Sequence, residues 1–422
     1  MRELTLMIER PVAGGRMLAR HDGQVVLVAG GIPGERVRVR LEPSSRKVLF
    51  ATVVDVLEAS PDRREPICDP ACGGMAYAFI APERQRVLKG EIVADAFRRL
   101  ARMPLDTPVE VAASPEHGFR LRGRLHVRDG RAGLFLERSH RLCDARATGQ
   151  FSDGTMTAVE AVLEQMGELR EQLASVLVAE NVRTTARVLH LEAGDGQRLR
   201  ADALGMRPLL VDGVTGITTE VNGRMVVVAG VGRVTDTAAE LCGEGVLPAD
   251  AAWTRSAASF FQGNRFLTGR LVERVLAHAE GRRVLDLYAG VGLFSVALAA
   301  RGAEVVAVEG DATSAADLAV NAGRWPTLAT QQQTVEAALL IALPGTFDVV
   351  VIDPPRTGAS PEAMARLVDL GAPRVVYVSC DPATLARDAG RLVNAGYRLS
   401  RIEAFDMFPN TPHVETLAIF DR

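Results

Sequence analysis

The sequence predicts an α/β chain in three parts: a doubly wound parallel sheet from about residue 251, preceded by a small N-terminal β-barrel and an α+β middle. Continuous apolar runs such as "FDVVVIDPP" and "RVVYVSC" alternate with helical spacing after residue 251, the pattern of strands buried on both faces beneath helices. Residues 1–57 instead alternate apolar and polar in short runs broken by Gly14-Gly15, Gly30-Gly31 and Pro33-Gly34, as barrel strands do. At 422 residues the chain is longer than one hydrophobic core usually organises, so several domains are expected.

Taken in order, "QVVLVAG", "ERVRVRL" and "LFATVVDVLE" are strands of the barrel, and "SPDRREP" is a linker. Between 68 and 250, "APERQRVLKGEIVADAFRRLAR" and "TMTAVEAVLEQMGELREQLASVLV" carry helical spacing, while "GRLHVRDGRAGLFL", "ARVLHLEAG" and "GRMVVVAG" suggest strands. The unit from 251 to 422 opens with "RFLTGRLVERVLAHAEG", in which Leu267, Leu271, Val272, Val275 and Leu276 share one helical face. No internal repeat or low-complexity segment interrupts it.

Composition excludes several classes. With 47% hydrophobic and 24% charged residues the chain is globular rather than disordered. No apolar run approaches the ~20 residues that cross a bilayer, and "MRELTLMIERPVAGG" holds no apolar core with a cleavage site. A cytoplasmic protein without a membrane partner is expected. The odd count of 5 cysteines points to thiols or metal ligation rather than a disulfide framework. A formal charge of -3 excludes a wholly basic nucleic-acid binder and leaves local basic faces open. The excess of arginine over the two lysines, Lys47 and Lys89, reads as compositional bias.

The segment "VLDLYAGVGLFSVALAARGAEVVAVEGD" has a strand ending at Asp286, glycines at Gly290 and Gly292, a helix, and a second strand ending at Glu309. Glu309 stands close to the ~20-residue offset at which a carboxylate meets ribose hydroxyls in nucleotide-binding βαβ units. The D-x-x-x-G-x-G spacing differs from the G-x-G-x-x-G that seats a pyrophosphate. A nucleoside without a diphosphate is implied, with S-adenosylmethionine the obvious candidate. Asp353, ending "VVVIDPPRTG", is expected to face the same crevice.

Cys380 lies between "RVVYVS" and "DPATLARD", at the carboxyl end of another strand and beside a helix N-terminus that should lower its thiol pKa. Alone it reads equally as a small buried residue. His413 and Glu415 in "DMFPNTPHVETLAIF" add an acid/base to the same unit. A thiol, a base and a methyl-donor site together match methylation of an unactivated pyrimidine carbon 5. Thiolate addition at carbon 6 makes carbon 5 nucleophilic, and a base then removes its proton.

The motifs "SFFQGNRF", "DLYAGVGLFS", "IDPPRTG", "VSCDPATLARD" and "DMFPNTPHVE" together resemble the RNA uracil-5-methyltransferase family, in the branch with an N-terminal TRAM domain. The resemblance covers essentially the whole chain. It implies an OB-like TRAM barrel over 1–57 that grips RNA, a central domain over 68–250, and a Rossmann-like methyltransferase domain over 251–422. It implies Cys380 as nucleophile, Glu415 as base, and Gln262, Tyr288, Glu309 and Asp353 as contacts to S-adenosylmethionine. Leu293 stands where relatives often carry asparagine, so a side-chain hydrogen bond to the cofactor is absent there. Arg36, Arg38, Arg40, Arg46 and Lys47 would be the barrel's phosphate contacts, and Arg120, Arg122 and Arg124, alternating on a strand, would face the RNA.

Family members also hold a 4Fe-4S cluster on four cysteines. Here Cys68, Cys72 and Cys143 match three of them and Met75 replaces the other, a thioether being a poor substitute for a thiolate. Both a three-cysteine cluster and its replacement by apolar packing stay open, with loss favoured. Cys242 matches no motif and reads as a core residue. The implied substrate is a flipped uridine in ribosomal RNA, with transfer RNA second and no obligate protein partner evident. Cytosine methylation and a non-catalytic RNA-binding or iron-sulfur role are the competing readings.

Overall fold

A computed structural model describes residues 2–43, 48–197 and 199–422. Five strands, Glu3–Pro11, Met17–His21, Gln24–Ala29, Arg36–Leu41 and Leu49–Glu58, close into a barrel. Their alternation turns Leu4, Leu6, Ile8, Val26, Val28, Val37 and Val39 inward. Tyr77, Phe79, Ile80 and Leu88 from the next segment join that core, so the barrel is seated on the helix Pro82–Ala96.

Arg36, Arg38 and Arg40 do share the outer face, but each meets a carboxylate. Arg36 pairs with Glu58 at 3.1 Å, Arg38 with Asp55 at 2.9 Å, and Arg40 with Glu3 at 3.3 Å. Cross-strand pairing therefore already engages the charge expected to meet phosphate. Arg46 and Lys47 lie outside the described residues.

The middle of the chain builds a seven-stranded sheet around Leu173–Glu180, with Arg122–Arg128 on one side and Arg187–Ala193 on the other. Helix Asp153–Met166 covers one face through Met156, Val159, Val162 and Leu163, against Leu125, Val127, Val176 and Leu189. The helical spacing read through "ASVLV" ends earlier than expected. Gly167 takes a left-handed φ of 57° and stops the helix, and the valines beyond it form the central strand.

From Thr268 the expected alternation appears. We label the strands β1 (Arg283–Leu287), β2 (Glu304–Glu309), β3 (Leu328–Gln332), β4 (Val349–Ile352), β5 (Arg374–Ser379), β6 (Arg398–Phe405) and β7 (Glu415–Asp421). They lie in the order β3-β2-β1-β4-β5-β7-β6, with Val111–Ala112 added beyond β6. Pairing is parallel from β3 to β5, while β7 runs antiparallel between β5 and β6. Strand order reverses between β1 and β4, the position at which open α/β sheets bind ligands. All four residues of β4 are buried, and apolar cores cover both faces.

A buried carboxylate joins the central sheet to the C-terminal unit. Glu180, fully buried, accepts hydrogen bonds from Thr155 and from the guanidinium groups of Arg187 and Arg265. Glu180→Ala leaves two buried cations uncompensated and should cost about 3–5 kcal/mol. Chemical denaturation checks this; a loss under about 1 kcal/mol would mean that solvent reaches the arginines.

Candidate active site

The site lies at the carboxyl ends of β1, β4 and β5. Register fixes it: Leu287 on β1 sits beside Ile352 on β4, which sits beside Tyr377 on β5. Tyr288, Asp353 and Cys380 therefore leave the sheet on one edge. Across the antiparallel pair, Ser379 faces Thr416, which brings Cys380, one residue past Ser379, opposite Glu415.

After β1 the chain turns tightly enough that Tyr288, Gly290 and Gly292 all have positive φ, of 60°, 58° and 89°. At Gly292 a Cβ would lie 2.7 Å from Leu318, so both conformation and space require glycine. Helix Leu293–Ala300 starts there. Glu309, ending β2, accepts the Gly290 N–H at 2.7 Å and the Asp311 N–H at 2.7 Å, holding the glycine turn against the second strand. Phe260, Gln262, Tyr288, Gly290, Leu293 and Asp353 line one small pocket. Gln262 donates to Asp353 at 3.1 Å.

The electrostatics are those of an active site rather than of a core. Burial pushes the Asp286 carboxyl up to about 7 despite its bond from Ser295. Burial and then Asp286 push Asp353 up to about 7. Glu415 is raised well above the carboxylate range by burial and then by Asp353. Asp286 Oδ1 and Glu415 Oε1 have no hydrogen-bond partner. Two buried carboxyls, Asp286 and Glu415, and the half-buried Asp353 gather at the carboxyl ends of these strands, with Arg356 the cation acting on Glu415.

The expectation that a helix N-terminus lowers the Cys380 pKa is corrected. Burial, then Glu415 and Asp353, push the thiol up to about 12, with Arg356 pulling the other way. The helix Pro382–Asn394 spends its first N–H groups on its own cap, Asp381, which accepts from Ala383 at 3.0 Å and Thr384 at 2.8 Å. His413 is driven down to about 4 by burial and by Arg356, so it is neutral at pH 7.

The family model described as tRNA (Uracil-5-)-methyltransferase matches residues 341–422, and that of the TRAM domain matches residues 2–54. The 23S rRNA (uracil(1939)-C(5))-methyltransferase RlmD of Alkalilimnicola ehrlichii is 34% identical, across 97% of this chain and 94% of that protein. The same-named protein of Pseudomonas putida is 33% identical across 99% and 93%.

The chain belongs to the RNA uracil-5-methyltransferase family.

Its fold matches the Pyrococcus abyssi tRNA (uracil-54, C5)-methyltransferase, solved with S-adenosyl-L-homocysteine, with a TM-score of 0.75 at 23% identity over 98% of this chain and 99% of that one.

This family member departs from the iron-sulfur pattern. Cys72 and Cys143 form a disulfide, which withholds both thiolates from a metal, and Met75 is fully buried against Cys72 and Ala78. Cys68 is a free thiol beside them, pushed up by burial and by Asp69 and Asp144. No group of three or more His, Cys, Asp or Glu among the described residues is placed to hold a metal ion. The set Cys68, Cys72 and Cys143 thus does not fit a 4Fe-4S cluster as arranged here; of the cysteines expected as thiols or metal ligands, two are joined in one disulfide. Titration under non-reducing denaturing conditions should count three thiols, Cys68, Cys242 and Cys380. Reduction should cost about 2–4 kcal/mol, given the 71-residue separation. Five thiols, or bound iron, would refute the pairing.

Arg122 and Arg124 lie on the strand Arg122–Arg128, while Arg120 precedes it in an isolated bridge with Asn264, and the structure separates the three. Arg120 lies 5.6 Å from the centroids of Phe119 and Phe408 and donates to Gln150 at 2.7 Å. Arg122 lies 5.5 Å from Phe260. Burial, and then neighbouring arginines, push both down to about 10. Arg124 is half exposed and paired with Glu192. Sequence reasoning missed Arg356, which stands directly after the quoted Asp-Pro-Pro, and Phe260, 52% exposed beside Gly290. An exposed aromatic in an otherwise apolar "SFFQ" run carries no signal until the fold places it.

Proposed function

We propose that this chain methylates carbon 5 of a uridine in structured RNA, with 23S ribosomal RNA as substrate. The observation that carries the reading is the Ser379–Thr416 register, which sets a thiol against a carboxyl, with Asp353 of the glycine-turn pocket acting on both. The barrel over 1–57 would hold the RNA, the central part over 68–250 would present Arg120 and Arg122 to it, and 251–422 would be the catalytic unit. Ribosomal RNA is favoured by the names of the relatives matched over nearly full length. Transfer RNA is the second reading, supported by the family model of the last 82 residues, 341–422. A cytoplasmic site of action follows from either substrate, and no described helix is long and apolar enough to cross a membrane.

The pocket suits S-adenosylmethionine. Asp353, half-buried in its lining, offers a carboxylate to a cationic ligand, and Gly290 and Gly292 let backbone approach it. When bound, the cofactor supplies an electrophilic methyl group on sulfur. Gln262, Tyr288 and Glu309 would complete its contacts.

The remaining chemistry belongs to the chain. Cys380 gives its proton to solvent and the resulting thiolate bonds through sulfur to carbon 6 of the flipped uracil, moving the ring's π electrons to carbon 5 and the carbonyl oxygen. Carbon 5 takes the methyl group. Glu415, its own proton first released to solvent, then accepts the carbon 5 proton as carboxylate, the carbon 5–carbon 6 double bond re-forms, and the sulfur leaves carbon 6 as thiolate. The test is mass spectrometry of nucleosides from ribosomal and transfer RNA, comparing cells lacking the protein with cells complemented by wild type or Cys380→Ala. Loss of 5-methyluridine from one fraction, restored by wild type alone, is expected in ribosomal RNA. 5-Methylcytidine as the lost nucleoside, or no change in either fraction, would refute the reading.

A further inference from the structure

We propose that Lys89 and Gln85, on the helix seated beneath the barrel, are positioning residues for the loop that delivers Glu415; the inference rests on the function proposed above. The loop 406–414 links β6 to β7, carries His413, and ends at Glu415. A free nine-residue hairpin loop would let the first residue of β7 fray. This one is held at three points from outside the catalytic unit.

Lys89, fully buried, donates to the Asp406 carboxylate and to the Phe408 carbonyl at 3.0 Å. Gln85, also buried, donates to Asn410 Oδ1 at 2.9 Å while its own Oε1 accepts the Asn410 N–H at 2.9 Å. Arg64 also donates to Asn410 Oδ1 at 2.9 Å, and the Asn410 carbonyl accepts the Tyr77 N–H at 2.8 Å, while Asn410 Nδ2 has no hydrogen-bond partner among the described residues. Asn410 holds a left-handed φ of 63°, which a non-glycine residue keeps only when its surroundings fix it.

A buried lysine paired with one aspartate is a poor way to gain stability, since well-packed apolar residues do as well or better. What the pair does supply is a fixed point at the start of the loop, while Gln85 and Asn410 fix its middle. Both anchors come from the segment whose Tyr77, Ile80 and Leu88 pack into the barrel. The geometry of the base is thereby referred to the barrel's seat, not to the catalytic sheet alone.

The experiment uses the full chain, S-adenosylmethionine and unmethylated 23S ribosomal RNA, and measures formation and release of the covalent protein–RNA adduct separately. Lys89→Met/Asp406→Leu removes both charges together. Asn410→Gly keeps the left-handed backbone and removes the side-chain anchor, so it tests the same point if the double variant fails to fold. Each should form the adduct within about twofold of the wild-type rate and release it about tenfold to a hundredfold more slowly, the scale set by misplacing a reacting group by about 1 Å. Wild-type release in a folded variant, or equal losses in formation and release, would overturn the positioning role while leaving the function intact. Absence of any adduct in wild type and in Glu415→Gln would overturn both.

Discussion

Cys380→Ala should abolish methyl transfer, lowering the single-turnover rate by about four to six orders of magnitude, the scale on which covalent catalysts lose activity with their nucleophile. No RNA should remain attached under denaturing conditions. RNA binding should persist, because Arg120 and Arg122 are untouched. The environment of the thiol adds a second expected result. With its pKa pushed up to about 12, its thiolate fraction at pH 7 is about 10⁻⁵ in the free protein. A thiol raised in this way gains reactive form as pH rises, so adduct formation by wild type should climb by nearly tenfold per unit between pH 7 and 9. Arg356 is the group that moderates the shift, and Arg356→Met should lower the rate without altering that slope. Rapid methyl transfer by Cys380→Ala would exclude the thiol route. A flat pH profile would mean that bound RNA lowers the thiol pKa before attack.

The α/β class, the barrel and the order of catalytic elements were legible because periodicity records burial. Leu267, Leu271, Val272, Val275 and Leu276, on one predicted helical face, are all buried, and the continuous apolar run of β4 is covered on both sides. The sequence misled where a single residue decides, as at Gly167, whose left-handed turn converts an apparent long helix into a helix and a central strand. Charge was harder to read than pattern. Arg36, Arg38 and Arg40 alternate as expected, yet their partners Glu58, Asp55 and Glu3 come from other strands, so their availability was invisible. The same holds for Cys380. Its place at a strand end was readable, but the carboxyls that raise its pKa arrive from β4 and β7, and the helix terminus expected to lower it is consumed by Asp381. Nor does spacing reveal that Cys72 and Cys143, 71 residues apart, meet as a disulfide.

The largest separable effect should come from Glu415→Gln. Burial and Asp353 hold Glu415 well above the usual carboxylate range, which favours its neutral acid form in the free protein. Glutamine is close to isosteric with that form, and the substitution should leave the thermal midpoint nearly unchanged. A base is more effective when its conjugate acid is weaker, so the burial that disfavours the Glu415 carboxylate also strengthens it as a proton acceptor. An amide cannot take the carbon 5 proton. The reaction should therefore run through thiolate addition and methyl transfer, then stop before the sulfur can leave. With methyl-labelled cofactor, label should become fixed to protein and RNA together at close to one equivalent per active site. Steady-state turnover should fall by about two to four orders of magnitude. Adding Cys380→Ala to Glu415→Gln should erase the trapped species, since no carbon–sulfur bond can form. If Glu415→Gln turns over within about threefold of wild type and traps nothing, the proton leaves by another route. Asp353, the carboxyl that acts on Glu415, would then be the base to test.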